Sequence, residues 1–137
     1  MDSGKQPHRD EVFRAPRPLA GDFQFGAEVV AVFDDMVSRS VPFYAEIQRM
    51  VGELAADFAV PGSSFYDLGC STGTTFLSVH PHVDPTVRFV GYDSSEEMLA
   101  RCRAKLQEHG VERPLELRCL DLEAGAPVHD ASVVTLV

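Results

Sequence analysis

The sequence predicts an α/β fold built on a parallel sheet of order 3-2-1-4, with helices on both faces. Three observations predict it. Short β-prone runs alternate with helical stretches through residues 65–137, right-handed crossovers set the order of the runs, and the first run ends in a glycine-rich turn that opens a helix. Right-handed crossovers then place strand 1 and its turn in the centre of the sheet.

That central stretch is Phe65-Tyr66-Asp67-Leu68-Gly69-Cys70-Ser71-Thr72-Gly73-Thr74-Thr75. It reads as a buried strand from Phe65 to Leu68, a turn with Gly69 and Gly73, and a helix over Thr74 to Val79 whose amides Thr74 or Thr75 can cap. A dinucleotide G-x-G-x-x-G frame falls on Gly69, Ser71 and Thr74 and fits poorly. The frame acid-x-G-x-G-x-G, the glycine motif of S-adenosylmethionine-dependent methyltransferases, falls on Asp67, Gly69, Ser71 and Gly73 with one serine for glycine. An acid ahead of the turn suits the ammonium of a methionine moiety and repels a pyrophosphate.

About twenty residues on, Val87 to Tyr92 forms a second strand followed by Asp93, where Rossmann-like folds hold a ribose diol. Ser94-Ser95-Glu96-Glu97 has the form of a capping box with Ser94 at the cap, which leaves Asp93 free for a ligand. The next helix, about Ser95 to Glu108, buries Met98, Leu99, Cys102 and Leu106, and His109-Gly110 closes it. Leu115 to Asp121 is an edge strand that puts Asp121 near an adenine. A loop with Gly125 and Pro127 leads to a fourth strand, Ala131 to Val137.

Upstream, residues 1–25 form an arm rich in charge and proline, and 26–137 form the domain. Helix 1, Ala27 to Ser38, carries Val29, Val30, Val32, Phe33, Met36 and Val37 on one face, which is expected to be core. Helix 2, Pro42 to Phe58, carries a stripe of Phe43, Ile47, Met50, Val51, Leu54, Ala55 and Phe58 that is expected to pack on the sheet. Tyr44 lies beside the stripe, where its hydroxyl can face a pocket or the ring can simply be core.

Composition bounds the function. The 137 residues hold one domain, and 45% hydrophobic content is ordinary for a globular chain. A net charge of −9 argues against nucleic-acid and membrane-surface partners and for a small molecule. Cys70, Cys102 and Cys119 have no C-x-x-C spacing, which reads as reduced thiols in a cytoplasmic protein. His80 and His82 lie in a proline-containing loop with no third ligand nearby, so no metal is expected.

The chain resembles the carboxy-S-adenosyl-L-methionine synthase family. The resemblance runs through His8-Arg9-Asp10, Phe13, Ala15-Pro16 and Gly21-Asp22-Phe23-x-Phe25. It continues in Val32-Phe33-x-Asp35-Met36-x-x-Arg39-Ser40-Val41-Pro42-x-Tyr44 and Tyr66-Asp67-Leu68-Gly69-Cys70-Ser71-x-Gly73. It implies a Rossmann-like, S-adenosylmethionine-binding enzyme that converts S-adenosyl-L-methionine and prephenate to carboxy-S-adenosyl-L-methionine and phenylpyruvate. A partner enzyme then uses the product in tRNA wobble uridine modification. It also implies that Tyr44, Gly69, Cys70, Ser71, Asp93, Ser94, Asp121 and Leu122 line the cofactor pocket, that Arg39 meets substrate, and that the complete protein is a homodimer that does not itself bind nucleic acid. Catalytic residues are not assigned. The family usually has glycine where Phe43 stands and a cofactor-contacting asparagine where Val137 stands. Its carboxylate-gripping arginine lies in a carboxyl-terminal half that this chain lacks, so the expectation is a truncated domain that ends after strand 4. An ordinary methyltransferase acting on a small molecule and a non-catalytic cofactor-binding module are the alternatives.

Overall fold

A computed structural model describes residues 27–137. The amino-terminal arm and the resemblance motifs within it lie outside those residues, as does the Val29 side chain. The elements are α1 (Ala27–Ser40), α2 (Tyr44–Phe58), β1 (Ser64–Leu68), α3 (Thr74–Val79), β2 (Arg88–Asp93), α4 (Glu96–Glu108), β3 (Leu115–Cys119) and β4 (Ala131–Thr135), with 3-10 turns at His80–His82 and Leu122–Ala124. The sheet is parallel and ordered β3-β2-β1-β4, as the alternation of elements predicts.

Alternate strand residues face opposite sides. Phe65 and Phe89, paired across β1 and β2, join Phe76, Val79, Leu99, Cys102 and Leu106 in the main core, so α3 and α4 cover that face. Both crossovers step the same way along the sheet, and right-handed crossovers in one direction share a face. The opposite face presents Tyr66, Val90 and Tyr92. Among the described residues it is covered by the Leu120–Ala131 segment and not by a helix. Tyr92 donates to the Pro127 carbonyl at 2.6 Å, and Tyr66 accepts from the His129 amide at 3.0 Å.

Helix 2 departs from its hydrophobic pattern. The packed face is Gln48, Gly52 and Ala55, while Phe43, Met50, Leu54 and Phe58 are 51–80% exposed and Ile47 is at 36%. The reason is how near α3 and the turn after it come to α2. A Cβ on Gly52 would lie 2.7 Å from the Ser78 carbonyl oxygen and 2.9 Å from the His82 ring. Gly52 and Ala55, small residues three apart, allow that approach, and the bulky stripe about a quarter turn away does not.

Element ends differ in instructive ways. The helix begins at Tyr44 and not at Pro42, because Phe43 takes φ 57°, a left-handed conformation costing a β-carbon residue about 1–2 kcal/mol. Asp93 belongs to β2, whereas β3 ends at Cys119 and leaves Asp121 to open a 3-10 turn. β4 ends at Thr135. Ser95, and not Ser94, caps α4 by accepting from the Met98 amide at 3.1 Å. On α1, Val32 packs against Met98 of α4, with Val30 and Phe33 half-buried around them.

The loop after α3 is fastened by one side chain. Arg113 donates to the carbonyls of His80, Val83, Asp84 and Val87, and its guanidinium stacks 4.4 Å from the Phe89 ring centroid. The His80 ring faces that guanidinium, and burial holds its pKa below the ordinary value, with the Arg113 charge acting the same way.

Candidate functional site

The turn after β1 is held from both sides. The Gly69 and Cys70 amides both donate to the Tyr92 carbonyl, at 2.7 and 3.0 Å, which bends the chain over the end of β2. Gly69 at φ 80° and Gly73 at φ 89° take conformations that favour glycine, and Ser71 joins them at φ 51°. Gly73 is itself the residue before α3, so neither Thr74 nor Thr75 caps the helix. Their hydroxyls are engaged elsewhere: Thr75 accepts from Gln48 Nε2 at 3.2 Å and Thr74 from Lys105 Nζ at 3.0 Å.

Beside this turn lies a cleft of about 220 Å³. Tyr44, Asp67, Gly69, Cys70 and Ser71 meet on its walls. Phe33 and Val37 of α1, Gln48 of α2, Thr72, Thr74, Thr75 and Val137 complete it with Val41 and Ile47. No heavy atom other than those of its chain neighbours lies within 4 Å of where a Gly69 Cβ would stand, so the backbone there is open to a guest. Gly73 stands behind, its Cβ position filled by Cys102 Sγ at 2.7 Å.

The remaining residues singled out from the sequence lie outside the cleft walls. Asp93 is not free: Oδ2 accepts from the Ser71 amide at 2.9 Å and Oδ1 from the Ser95 amide at 3.0 Å. It ties the glycine turn to the start of α4 and keeps further lone pairs for a ligand. Ser94 is exposed next to it. Asp121 caps its own 3-10 turn through the Glu123 amide, and Leu122 packs against the Tyr66 and Tyr92 cluster. Arg39 sits on the outside of α1, paired with Asp35 at 3.3 Å.

Electrostatics single out Asp67. It is 2% exposed, accepts from Thr135 Oγ1 at 2.8 Å, and burial pushes its pKa up to about 7, with the Asp93 charge adding to the rise against the Thr135 bond. Burial also raises the Tyr44 phenol. The Cys70 thiol is raised further, by its hydrogen bond with Cys102 and by burial, which keeps it protonated and rules it out as a ready nucleophile.

Sequence reasoning missed Lys105 and Asp34. Lys105 Nζ donates to Asp34 Oδ2 at 2.7 Å, Thr72 Oγ1 at 3.0 Å and Thr74 Oγ1 at 3.0 Å, which uses all three of its protons. Thr72 in turn donates to Asp34 Oδ1 at 2.6 Å. Burial alone would raise Asp34, but the hydrogen bonds from Lys105 and Thr72 outweigh it and hold the carboxyl below its usual range. The signal was available: Lys105 falls on the Met98–Cys102 face of α4, seven and three residues on, where the helix is otherwise apolar. Lys105→Met is expected to lower stability by about 2 kcal/mol, since the buried Thr72 and half-buried Thr74 hydroxyls lose their donor while Asp34, half exposed, regains water. A urea midpoint within error of the parent would show that the network carries no net stability.

Comparison with known proteins adds the following. The methyltransferase-domain family model matches residues 65–137. Carboxy-S-adenosyl-L-methionine synthase of Methylococcus capsulatus is 47% identical over 130 residues, covering 94% of this chain and 54% of that protein. The enzyme of the same name from Shewanella pealeana is 40% identical over 93% of this chain and 53% of its own length. The chain thus spans about half the length of the curated relatives it matches. Among solved structures, an RNA methyltransferase from Salinibacter ruber in complex with S-adenosyl-L-homocysteine superposes with a TM-score of 0.55 at 31% identity, over 70% of this chain and 60% of that one. A methyltransferase from Geobacter sulfurreducens reaches 0.60 at 20% identity over 83% and 58%, a likeness of fold. The sheet order, the glycine turn on its central strand and these matches lead to one conclusion: the chain belongs to the methyltransferase-domain family.

Proposed function

We propose that the cleft receives the amino-acid end of S-adenosyl-L-methionine, and that the protein is a carboxy-S-adenosyl-L-methionine synthase taking prephenate as carboxyl donor. The observation that carries the reading is the convergence of Tyr44, buried Asp67 and the open backbone of Gly69 on one cleft. The group fits on the structure's own terms: a secluded carboxylate calls for a cation, and a turn with no side chain at Gly69 lets a ligand approach the backbone. Gly69, Cys70 and Ser71 would hold its amino-acid portion. Asp93, with Ser94 exposed next to it, would meet the ribose, and Asp121 with Leu122 the adenine. When bound, the cofactor supplies an activated sulfonium carbon. Around it the chain's own groups orient and exclude water, with Phe33 and Val37 as apolar wall and Tyr44 as a neutral phenol.

The names of the relatives support this reading over its neighbours. It includes carboxy-S-adenosyl-L-methionine as product for tRNA wobble uridine modification, Arg39 on the substrate side, a homodimer, and a cytoplasmic location. No helix among the described residues is long and apolar enough to cross a membrane. The family match alone equally favours methyl transfer to a small acceptor. Native mass spectrometry of the protein extended through the carboxyl-terminal half of its relatives, after incubation with S-adenosylmethionine and prephenate, separates the two. A retained ligand heavier by one carbon dioxide is expected, and S-adenosylmethionine kept unchanged would return the lead to methyl transfer.

A further inference from the structure

Gln48 sits one helical turn after Tyr44, borders the same cleft, and is 5% exposed. Its Nε2 is committed to Thr75 Oγ1 at 3.2 Å, whereas Oε1 has neither a hydrogen-bond partner nor contact with bulk water. A secluded amide oxygen left unpaired is costly, and a donor entering the cleft would relieve it. The last torsion of a glutamine is broad, so turning the amide to present Oε1 to the cleft costs little.

The donor that would meet it can be chosen by charge. Asp67, nearly fully buried, lines the same cleft, while Lys105 spends its three protons behind the turn. Among the described residues no Lys or Arg lines the cleft, so it favours a cation over an anion. We propose that Gln48 Oε1 accepts from the α-ammonium of the ligand's amino-acid moiety, sharing that cation with Asp67. Gln48 thereby selects ligands that carry the amine over nucleoside thioethers that lack it.

This inference rests on the S-adenosyl reading of the cleft, and two probes keep the failures apart. S-adenosylhomocysteine carries the ammonium, and 5′-methylthioadenosine has the same nucleoside thioether without it. Calorimetric titration of the 137-residue chain with both, in the parent and in Gln48→Met, is expected to show about ten-fold weaker binding of S-adenosylhomocysteine and unchanged binding of methylthioadenosine. Gln48→Asn, which keeps an amide but withdraws it by one methylene, gives the same selective loss and serves if the methionine variant does not fold. An equal loss for both probes, or none for either, overturns the ammonium assignment. A parent chain that binds neither probe overturns the S-adenosyl reading and this inference with it.

Discussion

Between about pH 5 and pH 8 the ligand-free fold is expected to lose about 2–3 kcal/mol through Asp67 alone. Its folded pKa of about 7 stands above the ordinary carboxyl value of about 4 in the unfolded chain. Between those values the folded state holds a proton that the unfolded state releases. The stabilising contribution is therefore complete below about pH 4 and is lost as pH rises through 7. Thr135 Oγ1 softens the loss by donating to the ionised form, whereas the Asp93 charge deepens it. Asp67→Asn should flatten this part of the pH profile and be more stable than the parent at about pH 8. Urea midpoints across that range decide it, and a parent and variant with parallel profiles would place the Asp67 titration outside the folding equilibrium. A cation in the cleft reverses the cost, so S-adenosylhomocysteine should drive a proton off the protein near pH 6. Calorimetry in two buffers of different ionisation enthalpy reads that proton directly.

Gly73→Ala is expected to cost about 3 kcal/mol, in two separable parts. One is backbone: φ 89° lies where an alanine is strained by about 1–2 kcal/mol. The other is space, since the new methyl would meet Cys102 Sγ at 2.7 Å inside the main core. Cys102→Ala in the same chain should return the second part and leave the first, giving a coupling of about 1–2 kcal/mol in a double-mutant cycle. Additive losses would mean that the sulfur yields freely. Gly69→Ala is the contrast: it has the same handedness at φ 80° but no neighbour within 4 Å, so it should cost only the backbone share. Its added methyl enters the ligand's approach, and binding suffers more than folding.

Much of this architecture was legible because β-prone runs and glycine turns are local. Phe65 to Gly73 reads as strand and turn from its own residues, and the strand order follows from handed crossovers. The face of α2 was not legible. Hydrophobic periodicity reports where apolar side chains fall, while Gly52 decides how near α3 can come, and nearness set the packed face. Asp93 looked free because the sequence puts Ser94 at the cap, whereas Ser95 takes that role one residue later and Asp93 accepts from the Ser71 and Ser95 amides. Lys105 was hidden by its type, since a lysine within an apolar stripe reads as a lapse until Asp34, Thr72 and Thr74 are placed around it. The predicted order already set β4 beside β1, but the register that brings Thr135 opposite Asp67, with its shift between Ser64 and Phe65, could not be read from the sequence.

That last adjacency also bears on how the chain reaches its native state. The two residues are separated by 68 positions, and β1 acquires its β4 neighbour only after β2 and β3 intervene in sequence. Contacts of such span form against a large loop-closure entropy and tend to come late. The half of the molecule from β1 to β3 has nearer neighbours in sequence to assemble from, so the carboxylate at the cleft is expected to stay hydrated until β4 docks. Ligand competence is therefore expected to come with the final strand, and refolding hydrogen exchange that protects β4 as early as β1 to β3 would overturn that order.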